Sequence, residues 1–204
     1  DIKTGIFTNF SHDHLDYHKN YKNYFNSKMH LFKNILRNNS KIISDQNNKE
    51  FKIIKSIAKK KKIKITSIGQ DFGDIRILSN SYKDNNQVIR ILVGSKFFLL
   101  EIPLIGYFQI KNLLMAVLAA RNCGIKQKKI FNQLKKIKPV PGRLECVSKL
   151  NKNSKIIIDF AHTPDALEQS LKSIKKQFKS KIIVVFGCGG ERDKKKRKLM
   201  GLIA

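Results

Sequence analysis

Between residues 8 and 18 the sequence TNFSHDHLDYH gathers His12, His14 and His18 with Asp13 and Asp16. Imidazole and carboxylate donors this close together are a donor set that a divalent cation takes. The same residues also suit a polar connector in which Asp and Asn close turns, and the spacing leaves both readings open. Asn20 then predicts a cap for a helix from about Tyr21 to Leu36. Its apolar stripe runs Tyr21, Phe25, Phe32 and Ile35, with Met29 and Leu31 beside it, and Lys28 falls on that stripe. A lysine so placed must snorkel, find a partner or lose its charge.

A second constellation comes late in the chain: Arg143 in PGRLE, Asp159 and His162 in IIIDFAHTPDAL, then FGCGGERDKKKR. Asp159 ends an apolar strand, at the edge where open α/β sheets collect ligand groups. It reads equally as a hydrogen-bonded aspartate ahead of a helix capped by Thr163. GCGG between a strand and a basic helix offers backbone amides to an anion. The sequence contains no G-x-x-x-x-G-K-[ST], so a main phosphate loop for ATP would lie elsewhere.

The elements that must position these residues alternate. A strand over 2 to 8 delivers the histidine-rich loop, KIIS at 41 to 44 is a second strand, EFKIIKSIAKKK a helix, and IKITSIG a third strand. From 74 to 102, three β-rich runs separated by Asn, Asp and Gly predict an antiparallel meander. FQIKNLLMAVLAARNCGI is an apolar helix stopped near Gly124, followed by a helix from Lys126 to Ile137. KPVPGR, at 138 to 143, breaks the pattern and suggests a boundary, with units at 1–141 and 142–204. After it come strands near Leu144 to Ser148, at KIIIDF and at KIIVVF, with a helix from Pro164 to Phe178 between the last two. The second unit is short for an α/β domain, so it is expected to be cut short.

At 204 residues and 41% hydrophobic content the chain can build a core. No apolar run approaches the roughly 18 residues of a membrane span, and no secretory leader is read at the start. Cys123, Cys146 and Cys188 form no C-x-x-C pair, which fits a reducing cytoplasm. The net charge of +27 could suggest nucleic acid. Lysine far outnumbers arginine, however, and comes with abundant Ile and Asn, a profile that AT-rich codons produce. The runs KKKK at 59 to 62 and DKKKRK at 193 to 198 lack interleaved aromatics, and the first reads as solvated surface. Neither a nucleic-acid nor a membrane partner is expected.

FTNFSHDHLDYH, YKNYFNSK, GYFQIKNLLMA, VPGRLE, IDFAHTPDAL and FGCGGERDKKKRKLMG, in that order over nearly the whole chain, resemble the Mur ligase family. The wording is most similar to the branch that adds a third amino acid to UDP-N-acetylmuramoyl-L-Ala-D-Glu. FGCGG and KKKRKLMG favour meso-diaminopimelate over L-lysine. The resemblance implies the later part of a central ATP-binding domain, a parallel sheet with helices and a small antiparallel meander, followed by the start of a Rossmann-like C-terminal domain. It implies His14 and a carbamylated Lys28 as magnesium ligands, Asn112 near the adenine, and Arg143 near the ATP phosphates. Asp159 is implied as a nucleotide contact with His162 beside it, and Arg192 as the reader of the incoming amino acid.

The implied reaction is ATP-dependent amide-bond formation through an acyl phosphate, in a cytoplasmic monomer. The UDP-gripping domain, the phosphate loop and the later amino-acid motif of the family are not in this sequence. The chain alone is therefore expected to be inactive. GGERD stands where GGDRD is more familiar. Another amide ligase of the superfamily, such as a lysine-adding Mur ligase or folylpolyglutamate synthase, and a noncatalytic remnant are the competing expectations, with a basic nucleic-acid-binding protein a distant one.

Overall fold

The computed structural model describes residues 2–11, 13–150, 154–189 and 195–204. Six strands form one sheet in chain order: β1 (Thr4–Phe7), β2 (Lys41–Asp45), β3 (Lys64–Gly69), β4 (Ile75–Lys83), β5 (Asn86–Val93) and β6 (Lys96–Ile102). β1, β2 and β3 are parallel, and Ile42 and Ile43 point to opposite faces, each fully buried. That burial on both sides is why these strands read as apolar runs rather than alternations. The meander joins the same sheet. β4 continues the parallel order through Ile68↔Ile75 and Gly69↔Arg76, after which β4, β5 and β6 pair antiparallel. The tight loop between β3 and β4 needs Gly69, because a Cβ there would lie 2.2 Å from the Phe72 carbonyl oxygen.

One face of the sheet is covered by α2 (Tyr21–His30) and α3 (Phe51–Lys60), with Met29, Phe32, Leu36, Ile54 and Ile57 packed on Phe7 and Ile42. The other carries α4 (Tyr107–Asn122) and α5 (Gln127–Leu134), whose Ile110, Leu114, Phe131 and Leu134 meet Ile43, Ile68 and Ile91. α4 ends as expected, with Gly124 at φ 86° just beyond it.

The helix after the histidine loop departs from its expected stripe. Residues Leu31–Ile35 form a π-helical turn, closed by Leu36 N–H donating to the Leu31 carbonyl at 3.0 Å. The wider turn breaks the 3.6-residue register, so Ile35 faces solvent and Leu36 enters the core. Tyr21 is also exposed, while Tyr24, Met29 and Phe32 are the buried residues. The lysine run is not wholly solvated either. Lys59, Lys60 and Lys62 are exposed, but Lys61 Nζ donates to the carbonyls of Lys33 at 2.8 Å and Leu36 at 2.5 Å, closing the open end of the π turn.

Past the prolines, β7 (Glu145–Leu150) and β8 (Ser154–Ile158) form a two-stranded antiparallel sheet. They are followed by α6 (Pro164–Phe178) and α7 (Lys195–Ile203). The strand expected at 181–186 does not form. Among the described residues no strand pairs with it, and Ile183 and Val185 are 86% and 95% exposed, so the segment has neither a ladder partner nor a core. Among the described residues no helix is long and apolar enough to cross a membrane.

Candidate active site

At the C-terminal ends of β1 and β2 the first turns of α4 and the segment around Arg143 and Asp159 enclose a cleft of about 1030 Å³. His14, Lys28, Asn112, Arg143, Asp159 and His162 all line it. Residues more than a hundred positions apart in the chain therefore converge. Arg192, with the end of the GCGG turn and the residues up to 194, lies outside the described residues.

β1 delivers the histidine loop and the loop ends in a short helix, α1 (Leu15–His18), which the sequence reading did not foresee. His14 caps it at φ 53°, a left-handed conformation that histidine tolerates better than most residues. The next helix holds the loop through one ring. Tyr24 is 9% exposed; His18 stacks on it at 5.0 Å between centroids, His14 meets it edge-on at 6.0 Å, and Lys28 Nζ lies 5.0 Å from its centre. Lys28 thus borders the cleft, one helical turn after Tyr24, rather than the core. Asn20 fixes where that helix begins by accepting from Asn23 N–H at 2.9 Å.

Asp13 joins the two constellations. Its Oδ2 lies 3.2 Å from His14 Nε2 and 3.7 Å from His162 Nε2. Asp13 was visible in the histidine cluster, but its link to His162 was not. On the far wall, Asp45 at the end of β2 pairs with Lys111 at 2.7 Å, and Asp45 also accepts from Asn47 N–H at 2.9 Å. Sequence reasoning missed this pair. An aspartate closing an apolar strand on the ligand-bearing edge was the available signal.

Asp159 is heavily engaged. Its Oδ2 accepts from Leu144 N–H at 2.8 Å and its Oδ1 from Ser170 Oγ at 3.2 Å. Arg143 extends over the Phe160 ring, 5.0 Å from its centre, and both side chains line the cleft. Thr163 caps α6 by accepting from Ala166 N–H at 3.2 Å, which turns the chain sharply after His162.

Cations, carboxylates and amides line this cleft together, in an α/β fold with helices on both faces of one sheet, whose parallel strands present their C-terminal edge to a later α/β segment. A family model described as the Mur ligase middle domain matches residues 1–120, and one described as Mur ligase, glutamate ligase domain, matches 142–204. The chain belongs to the Mur ligase family.

A relative from Rickettsia bellii, named UDP-N-acetylmuramoyl-L-alanyl-D-glutamate--2,6-diaminopimelate ligase, is 40% identical over all of this chain and 43% of its own length. A relative of the same name from Clostridium tetani is 38% identical, over all of this chain and 41% of its own. The chain thus spans less than half the length of these relatives. A solved structure of a ligase of that name superposes with a TM-score of 0.72 at 29% identity, over all of this chain and 42% of that one. A complex titled FPGS-AMPPCP-folate shares the fold, with a TM-score of 0.77 at 18% identity over 98% of this chain and 48% of that one.

Proposed function

We propose that this chain is the later central and early C-terminal part of an ATP-dependent ligase that adds meso-diaminopimelate to UDP-N-acetylmuramoyl-L-Ala-D-Glu, with units at 1–141 and 142–204. The observation that carries this reading is 40% identity across the whole chain to a ligase so named. The lining of one cleft by all six described site residues supports it.

In that reaction the D-Glu carboxylate attacks the γ-phosphorus of ATP and expels ADP. The amino group of diaminopimelate then attacks the acyl carbon of the resulting acyl phosphate, and the amide forms as inorganic phosphate leaves and the amine gives up a proton. Asn112 takes the adenine edge, Arg143 the phosphates, Asp159 and His162 the nucleotide at the junction, and Arg192 the incoming amino acid. Arg143 is suited to its part because a planar fork backed by Phe160 presents its donors in one plane.

Among the described residues no three His, Cys, Asp or Glu side chains form a ready metal site. A hard cation wants oxygen, and Lys28 supplies it once its neutral amine has added carbon dioxide and lost a proton. His14 and carbamylated Lys28 would then hold magnesium, which neutralises the repulsion between the approaching anions.

The test is phosphate release by a protein of the relatives' full length, with ATP, magnesium, the UDP-dipeptide, and diaminopimelate or L-lysine. Release with diaminopimelate alone, abolished by Lys28→Ala, is expected. Release with L-lysine alone would reassign the amino acid, and release with neither would overturn the ligase reading.

A further inference from the structure

Gln109 lies in the first turn of α4 and is only 8% exposed. Its Nε2 donates to the Arg143 carbonyl at 2.7 Å and to the Ile105 carbonyl at 3.1 Å, which uses both of its N–H groups. The next atom along the chain from the Arg143 carbonyl is the Leu144 nitrogen, and that N–H donates to Asp159 Oδ2 at 2.8 Å. A single peptide unit is therefore gripped at its oxygen by a helix of the central sheet and at its nitrogen by the carboxylate that follows β8.

The grip has something to oppose. Leu144 is held at φ 47°, a left-handed conformation that a branched residue adopts only when its surroundings impose it. Its side chain is 1% exposed and lies against Gly106, where an added Cβ would come within 3.0 Å of Leu144 Cδ1. With the peptide plane set, the Arg143 side chain leaves the backbone in the direction that lays it over Phe160. Gln109 and Asn112 stand three residues apart on one helix, so the side chain proposed for adenine and the peptide carrying the phosphate-facing arginine share one rigid support.

We infer that Gln109 is a positioning residue for Arg143, acting by clamping the Arg143–Leu144 peptide so that the guanidinium is pre-set for the nucleotide's anionic end. This rests on the proposed nucleotide role of Arg143. A long arginine on an unclamped peptide would have to be ordered on each binding event, and displacement of a binding group by about 1 Å is enough to lower a rate a hundredfold.

The experiment compares the full-length protein with Gln109→Met, which keeps the volume and removes the donor, and with Gln109→Glu, which sets an acceptor against the Ile105 and Arg143 carbonyls. Hydrogen exchange at the Leu144 amide and ATP affinity are measured in each, alone and on an Arg143→Ala background. Faster exchange with ATP affinity lower by about tenfold or more is expected, and no further loss of affinity once Arg143 is already alanine. Unchanged exchange, unchanged affinity, or a loss that simply adds to that of Arg143→Ala would overturn the positioning role. An Arg143→Ala protein that binds ATP normally would instead overturn the reading of Arg143 itself, and the exchange result would still report on the clamp.

Discussion

Lys111 Nζ and Asp45 Oδ2 stand 2.7 Å apart in the wall of the cleft, with the aspartate side chain 2% exposed and the lysine 28%. Because the carboxylate is buried and the lysine half-reaches solvent, the two partners do not contribute alike. Lys111→Met leaves an uncompensated buried charge and is expected to cost about 3 kcal/mol or more of stability, whereas Asp45→Asn with Lys111→Met together should recover much of it. Chemical denaturation of the two proteins checks this; equal losses would show that the pair contributes through something other than charge burial.

Asp13 touches both His14 and His162, one from each constellation. With His14 as the proposed magnesium ligand, and residues that orient a metal-binding histidine typically carrying 10- to 100-fold in metal affinity, Asp13→Asn is expected to raise the magnesium concentration for half-maximal activity by about tenfold. A titration with magnesium at saturating ATP reads this directly. His162→Ala should leave that half-saturation point closer to the wild-type value, since His162 meets Asp13 at the longer distance.

Asn20 closes the helix that carries Tyr24 and Lys28 by accepting from Asn23 N–H. Removing that acceptor with Asn20→Ala should cost about 1 kcal/mol, and Asn20→Ser or Asn20→Asp should restore most of it. Thermal unfolding measures the difference.

Gly106 enters α4 at φ 89°, and an added Cβ would lie 2.8 Å from Phe108 Cε1 and 3.0 Å from Leu144 Cδ1. Gly106→Ala therefore combines backbone strain with a push on the Leu144 side chain, and a loss of about 1–3 kcal/mol is expected. The displacement should also accelerate amide exchange at Leu144, which separates this substitution from a purely local helix defect.

Much of this architecture is local and was readable. The alternation of apolar runs located β1, β2, β3 and α3. Thr163 and the proline after it fixed the start of α6, whose bounds fall where the sequence placed them. Those signals are carried by neighbouring residues, through caps, turns and side-chain periodicity, and need no distant partner. The motifs likewise named the residues that converge on the cleft, although not how they would meet there.

The rest depended on contacts between distant segments. A π turn at 31–35 turned Ile35 outward and Leu36 inward, because one extra residue per turn overrides any stripe read at 3.6. KIIVVF has a strand's composition, yet a strand exists only where another strand completes its hydrogen bonds, and the described residues offer it none. Gln109 reads as an unremarkable polar residue in an apolar helix, and Asp45 as the end of a strand. Only the folded chain brings Gln109 to the Arg143 carbonyl and Lys111 to Asp45. Residue types and spacing determined the elements and their chemical equipment; the packing of α4 against the end of β2 and the Arg143 turn decided which groups are buried together, because burial forces each polar group to find a partner through space.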